Sequence, residues 1–429
     1  MLPISAVFRV ADTLGDAVAP ARGPICADEL IALACRRIGL TDFGETPFQA
    51  PLRRLLRACH EDANLSVVGR IATRWDVVRF LSNLLRLADE EKRAPEILAQ
   101  PVARPIFISG LPRSGTTFLH SLLAEDPANL VPRVWQLIHP YAVRKSATRR
   151  DLRARRVARQ LRLFGLLAPD FRRMHPIDAA SPQECSEITA HVFASLRFDT
   201  TYRIPSYRRW LDQTGHLDAY RFHKRFLQHL QHQTAGGRWV LKCPDHVFAL
   251  DAIRAVYPDA RLVLVHRDPL AVLLSVARLT ETLRRPFTRT IDKAEIGRQD
   301  SDRWLSATEL MIAAAQEPRF AEPIFHVQYL DLVADPVGVV AALYSHFGAT
   351  LQPGAAARIG RLVEAKPNGG YGAHGSRLEE YGLDAALERE RYARYMTHFG
   401  IQSEARGRSA RLAKSAPFLA SRRSAKPVK

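Results

Sequence analysis

Short apolar runs, each followed by a loop and an amphipathic stretch, recur along most of the chain. Ile106 to Ile108 predicts a first buried strand, and Trp239 to Leu241, ending at Lys242, a second. Arg261 to His266 is apolar between its polar ends, the pattern of a strand covered on both faces of a parallel sheet. Ile324–Gln328 predicts a further strand. Three-to-four spacing predicts helices between them. Phe118, Leu119, Leu122 and Leu123 share one face. Leu211–Gln233 turns Leu217, Tyr220, Phe226, Leu227 and Leu230 inward, with His223, His229 and His232 on a solvated face. Helices follow over His246 to Tyr257 and Leu270 to Leu279, the latter capped by Asp268 with Pro269 at its first position. Another runs from Asp335-Pro336 to Phe347 and stops at Gly348. Strand and helix alternating in this way predict an α/β fold with a parallel sheet.

The chain divides at residues 26, 100 and 400. Residues 1–26 form an extension without a strong pattern. Residues 27–100 predict a helical cap: Ala27–Ile38, then Leu52 to Cys59 opened by Pro51, then Leu65–Ala88 with Trp75 and Phe80 in the core. The α/β unit occupies 101–400. From 401 to 429 the chain is basic and polar; after Gln402 it holds eight Lys or Arg and a single acid, Glu404, which predicts disorder. An arginine-dense stretch, 144–173, predicts a solvated helix face with Leu152, Val157, Leu161 and Phe164 buried; a polyanion or acidic substrate is the other reading.

At 429 residues and 47% hydrophobic, the composition is that of a globular protein able to bury a large core. The net charge of +18 favours anionic partners. Nucleic acid is one such class, but no aromatic-interleaved basic motif or helix-turn-helix pattern supports it. Five scattered cysteines without a C-x-x-C pair suit a reducing compartment. No apolar run is long enough to span a membrane, and the N-terminus lacks a basic leader, so a cytoplasmic enzyme is expected.

The candidate chemistry begins where the first strand ends. Gly110-Leu-Pro-Arg-Ser-Gly115 is a tight glycine loop, followed by Thr116 and Thr117 at a helix start. Backbone N–H groups and the helix dipole make such a turn an anion site. The two glycines stand five apart, as in a nucleotide-triphosphate P-loop, yet Thr116 occupies the position where that motif needs lysine. The basic residue is Arg113, inside the loop. Lys242 and Arg267 also follow strands, where parallel sheets bind ligands.

Pro105 to Thr117 resembles the 5′-phosphosulfate loop of sulfotransferases that use 3′-phosphoadenosine-5′-phosphosulfate (PAPS). Val265 to Ser275 is similar to their 3′-phosphate motif, an arginine at a strand end with a serine eight residues on. Residues 41–100, Ser181–Ile188, Trp239–Pro244, Val327–Pro336 and His374–Asp384 also look like bacterial sulfotransferase-family proteins. The resemblance implies a P-loop-like three-layer fold, a central parallel sheet flanked by helices, with an N-terminal helical segment. It implies PAPS as co-substrate, without a metal. Gly110, Pro112, Arg113, Ser114, Gly115, Thr116 and Thr117 would hold the 5′-phosphosulfate, and Arg267 and Ser275 the 3′-phosphate. Arg113 and Lys242 would stabilise the transition state, the lysine matching one in tyrosylprotein sulfotransferases. The Lys366–Arg377 loop would close over the nucleotide.

A general base is also required. Several relatives place a glutamate shortly after the loop helix, but this chain has Gln136 there. Glu184 is the first candidate and His246 the second. Glu184 has another reading: Ser181-Pro-Gln-Glu184 has the form of a capping box opening a helix. The acceptor is a small molecule, glycan or peptide. Phe193, Phe198, Tyr202, Tyr207 and Trp210 suit an aromatic acceptor pocket or a core. The alternative function is a P-loop kinase or NTPase, against which stands the missing lysine.

Overall fold

Five strands, β1 (Ile106–Gly110), β2 (Asn129–Leu130), β3 (Arg238–Lys242), β4 (Arg261–His266) and β5 (Phe325–Gln328), make one sheet. All pairings are parallel, in the order β2-β3-β1-β4-β5. The computed structural model describes residues 23–142, 152–167, 178–234, 236–316, 320–365 and 377–404. The predicted Lys366–Arg377 loop lies outside these residues apart from Arg377, as do most of the predicted N-terminal extension and basic tail.

Alternation along each strand feeds two cores. Phe107, Leu241, Leu262 and Leu264 enter one. Ile106, Ile108, Val240, Val263 and Val265 enter the other, against Leu119, Leu122 and Leu123 of the helix Thr116–Leu123 and against Val340 and Leu343 of Pro336–His346. Helices on both faces explain why these strands are apolar throughout. The result is the three-layer P-loop-like arrangement. Ile108 lies opposite Lys242 and Gly110 opposite Val265, so the carboxyl ends of β3, β1 and β4 open side by side.

The N-terminal helices Ala27–Ile38, Gln49–Glu61 and Val67–Arg93 pack into the first core. Phe80 is buried as expected, but Trp75 is 59% exposed. The buried side of the long helix runs through Gly69, Thr73, Asp76, Val77 and Phe80. Gly69 lies so close to the Phe287 carbonyl that a Cβ would sit 2.1 Å from its oxygen. Small and charged residues define that side, so apolar spacing put Trp75 on the wrong one. Asp76 is held by Arg79 at 2.7 Å and Arg197 at 2.6 Å. Burial opposes its ionisation, yet the two guanidinium groups bring the carboxyl down to about 2.

Gly215, with φ +80°, splits the predicted Leu211–Gln233 helix into Pro205–Thr214 and Leu217–His232. The solvated histidine face also fails. His223 and His229 are buried, while His232 is exposed. His229 faces Glu90 at 3.2 Å and Glu91 at 2.8 Å through its two ring nitrogens, an arrangement that suits the imidazolium. Burial lowers the ring's pKa, but both carboxylates outweigh it and the net direction is upward. Burial raises Glu91, while His229 and Arg225 outweigh it and lower its pKa. The carboxylate therefore stabilises the fold above about pH 4.3, its unfolded value, and the imidazolium below about pH 6.5. We expect the contribution of this cluster to be largest between those values and to fall as pH rises through the raised His229 pKa. Denaturant midpoints measured from pH 6 to 9 should decline more steeply in the wild type than in His229→Gln.

In the arginine-dense stretch, Val157 is buried and Arg155, Arg156, Arg159 and Arg162 are exposed. Leu152 is half exposed rather than buried. Phe164 and Arg149, Arg150, Arg172 and Arg173 fall outside what is described.

Candidate active site

Three strand ends build the site. At the end of β1, Gly110 (φ +138°), Arg113 (φ +63°) and Gly115 (φ +98°) all take the left-handed half of backbone space. Only glycine does so without strain, so Arg113 stores some in the loop. A Cβ on Gly110 would lie 2.3 Å from the Val265 carbonyl oxygen. Gly110→Ala should cost roughly 3 kcal/mol of stability. Gly360→Ala, in the helix Pro353–Ala365 with nothing within 4 Å of its Cβ, should instead gain up to about 1 kcal/mol. Chemical denaturation of the two variants checks both.

Pro112, Ser114 and Thr116 are buried in the turn. The Ser114 hydroxyl has no hydrogen-bond partner among the described residues. A buried hydroxyl left without a partner is costly. Here it stands in a left-handed glycine turn at a helix N-terminus, where an anionic oxygen would satisfy it. The loop thus fits a phosphosulfate group.

At the end of β3, the Lys242 side chain is 4% exposed. Its ammonium donates to Thr117 Oγ1 at 3.1 Å and to the Glu184 carboxylate. Glu184 keeps 34% of its side chain exposed, so one partner faces the core and the other the cleft. The capping box is not formed. Ser181–Glu184 is not helical, Pro182 bridges to Arg133, and the helix begins only at Ser186. A buried ammonium is a stronger partner for the carboxylate than a backbone amide. The Cys185 amide donates to the Lys242 carbonyl at 3.0 Å, which ties the two segments together. Glu187 then anchors this segment to the cap through Arg79 at 2.7 Å, and pairs at 2.8 Å with Arg197, which itself holds Asp76 of the cap.

At the end of β4, Arg267 Nη1 donates to the Arg113 carbonyl at 2.5 Å. Its guanidinium lies 3.9 Å from the Tyr329 ring centroid. Arg113 Nε in turn donates to Ser275 Oγ at 3.0 Å. The two anion motifs, far apart in sequence, are in direct contact. Sequence reasoning missed two members of this region. Tyr329, at the end of β5, packs against both Arg267 and Gly115. Glu404 donates its amide to Asp268 at 2.9 Å and accepts from Arg267 Nε at 2.6 Å and Nη2 at 3.1 Å. A tyrosine after a strand and one acid in a basic tail carry no local signal of such contacts.

His246 is fully buried. Its Nδ1 is 2.5 Å from the Tyr220 hydroxyl, and its ring meets Phe107 edge-on at 5.0 Å. Burial, with His223 and Lys242 nearby, holds the imidazole well below its usual pKa. The structure therefore places it in the core beneath the site rather than at its mouth. Gln136 closes a cap of its own, its Oε1 accepting from the Arg133 amide at 2.9 Å. Next to Glu184 and Lys242 in sequence, Cys185, Ser186, Ser195, His216, Cys243 and Asp245 line a small recess of about 20 Å³, room for about one water. Burial pushes the Asp245 carboxyl up to about 7; Arg303 opposes the shift and Glu184 adds to it. Phe193, Phe198, Tyr202 and Tyr207 are core residues, packed around Phe48, Phe80 and Phe287. Among the described residues, no group of three His, Cys, Asp or Glu side chains is placed to hold a metal ion. No described helix is long and apolar enough to cross a membrane.

A parallel sheet with an arginine-bearing glycine loop, and a second arginine on the neighbouring strand end, defines a P-loop-like class of protein. The model of the sulfotransferase family matches residues 105–353, and the chain belongs to that family. Its fold superposes on sulfotransferase STF1 of Mycobacterium tuberculosis H37Rv with a TM-score of 0.77 and 31% identity, over 87% of this chain and 99% of that one. Sulfotransferase STF9 of Mycobacterium avium gives 0.79 and 29%, over 88% and 97%. Curated relatives from M. tuberculosis (strain CDC 1551 / Oshkosh) and M. bovis carry the name omega-hydroxy-beta-dihydromenaquinone-9 sulfotransferase Stf3. They are 27% identical over 273 residues, which span 59% of this chain and 64% of theirs.

Proposed function

We propose that this protein transfers the sulfuryl group of PAPS to a hydroxyl or amine of a small-molecule acceptor and releases adenosine 3′,5′-bisphosphate. The observation that carries this is the contact between the two anion motifs, Arg113 to Ser275 and Arg267 to the Arg113 carbonyl. One group with phosphates at both ends is what such a pair of sites can hold. Gly110 to Thr117 hold the 5′ end, with Ser114 gaining its missing partner. Arg267 and Ser275 hold the 3′-phosphate.

When bound, PAPS supplies an activated sulfuryl group whose bond to the phosphate oxygen breaks as the acceptor's oxygen or nitrogen bonds to sulfur. Arg113 and Lys242 set positive charge beside the oxygen that becomes negative. Glu184 takes the acceptor's proton, and its exposure toward the cleft supports that role over the buried His246. Thr117 and Glu184 fix the Lys242 ammonium, so little reorganisation is needed as charge develops. The name of the Stf3 relatives supports an amphiphilic hydroxyl compound as acceptor.

Incubation with sulfur-labelled PAPS and a panel of hydroxyl and amine acceptors tests the reading. We expect labelled acceptor and adenosine 3′,5′-bisphosphate in equal amounts. Transfer of phosphate from ATP, with no sulfuryl transfer to any acceptor, would replace it with the kinase reading.

A further inference from the structure

We infer that Glu404 is a built-in competitor for the 3′-phosphate: its carboxylate fills the Nε–Nη2 edge of Arg267, and a 3′-phosphate that takes that edge must displace it. The inference rests on the assignment of Arg267 made above. Of the guanidinium's N–H directions, Nη1 goes to the Arg113 carbonyl. Tyr329 covers one flat face. Nε and Nη2, the side-on edge of the fork, both donate to Glu404. Carboxylate and phosphate seek the same fork on arginine, so the two compete for it.

The contact is held by the chain on either side. Gln328 Nε2 donates to the Phe399 carbonyl at 2.7 Å, Ile401 is buried, and the Glu404 amide bonds Asp268. Asp268 is the cap of the helix that carries Ser275, so one residue serves both the phosphate site and the segment that blocks it. Both side chains of the pair are mostly covered, 19% exposed for Arg267 and 17% for Glu404. That burial makes it stronger than an exposed surface pair. The acid is the single one among the eight basic residues that follow Gln402. Binding and withdrawal are linked, so whatever holds the segment down weakens the nucleotide by the same factor.

Calorimetric titration of the full-length chain and of Glu404→Gln separates the outcomes. Adenosine 3′,5′-bisphosphate should bind the variant about tenfold more tightly than the wild type, the loss of a charge-assisted contact. Adenosine 5′-phosphosulfate, which lacks the 3′-phosphate, should bind both proteins within about twofold of each other. Unchanged or weaker bisphosphate binding by the variant, with normal binding by the wild type, overturns the inference and leaves the function standing. An equal gain for both ligands also overturns it, because that is a general charge effect. Binding of the bisphosphate by neither protein overturns the function and the inference together.

Discussion

Lys242→Ala should leave a folded protein whose turnover falls by about 10²- to 10³-fold, the usual cost of removing one preorganised donor from a developing charge. The ammonium is nearly buried at a strand end and is fixed from two sides, by Thr117 and by Glu184. A group held this way acts without reorganisation when negative charge appears on the leaving oxygen. Alanine removes the charge and leaves Glu184 without its cation. Lys242→Arg should not restore activity, because a planar fork cannot take the place of a compact ammonium between two close partners. The checks are kcat at saturating PAPS and the affinity for adenosine 3′,5′-bisphosphate. Affinity should change far less than kcat, since the phosphate grips are proposed for Arg113, Arg267 and Ser275.

Glu184→Gln should lower turnover by about 10²- to 10³-fold, within the range for loss of a positioned base. Its denaturation midpoint should stay close to that of the wild type, because no capping box depends on this carboxylate. Glutamine is similar in shape and can still accept from Lys242 through its carbonyl oxygen. Bisphosphate affinity should therefore hold. Near-normal turnover in this variant would move the base elsewhere, with Asp245 in the adjoining recess as the next carboxylate to replace.

What was legible in the sequence follows from how each feature is encoded. β1, β3 and β4 stood out because both of their faces are covered, which leaves uninterrupted apolar runs. The loop stood out because its backbone needs glycine at two positions and an arginine stands between them. Arg267 was found by its place after a strand, and Ser275 only through the resemblance to the sulfotransferase 3′-phosphate motif. β2 is two residues long, with Asn129 pairing opposite Arg238, and has no apolar run to announce it. The helix Lys293–Gln316 was missed because its buried side mixes Gly297, Ser301, Ala307 and Thr308 with Trp304 and Met311. Partners were the hardest to read. Glu184 could be seen as a candidate, but its pairing with Lys242 depends on a strand end reached across the fold. The same holds for His229 with Glu90 and Glu91, where the assignment to a solvated face ignored the cap that packs on it.

The central claim is a two-ended grip on one nucleotide that works without a divalent ion. It is tested most directly by equilibrium binding of adenosine 3′,5′-bisphosphate in the presence of EDTA, to the wild type and to Arg267→Ala. The account predicts binding by the wild type that EDTA does not alter, and a loss of at least tenfold in the variant, the cost of removing a charge-assisted contact. Tight binding of ATP that requires Mg²⁺, with the bisphosphate ignored by both proteins, would contradict it.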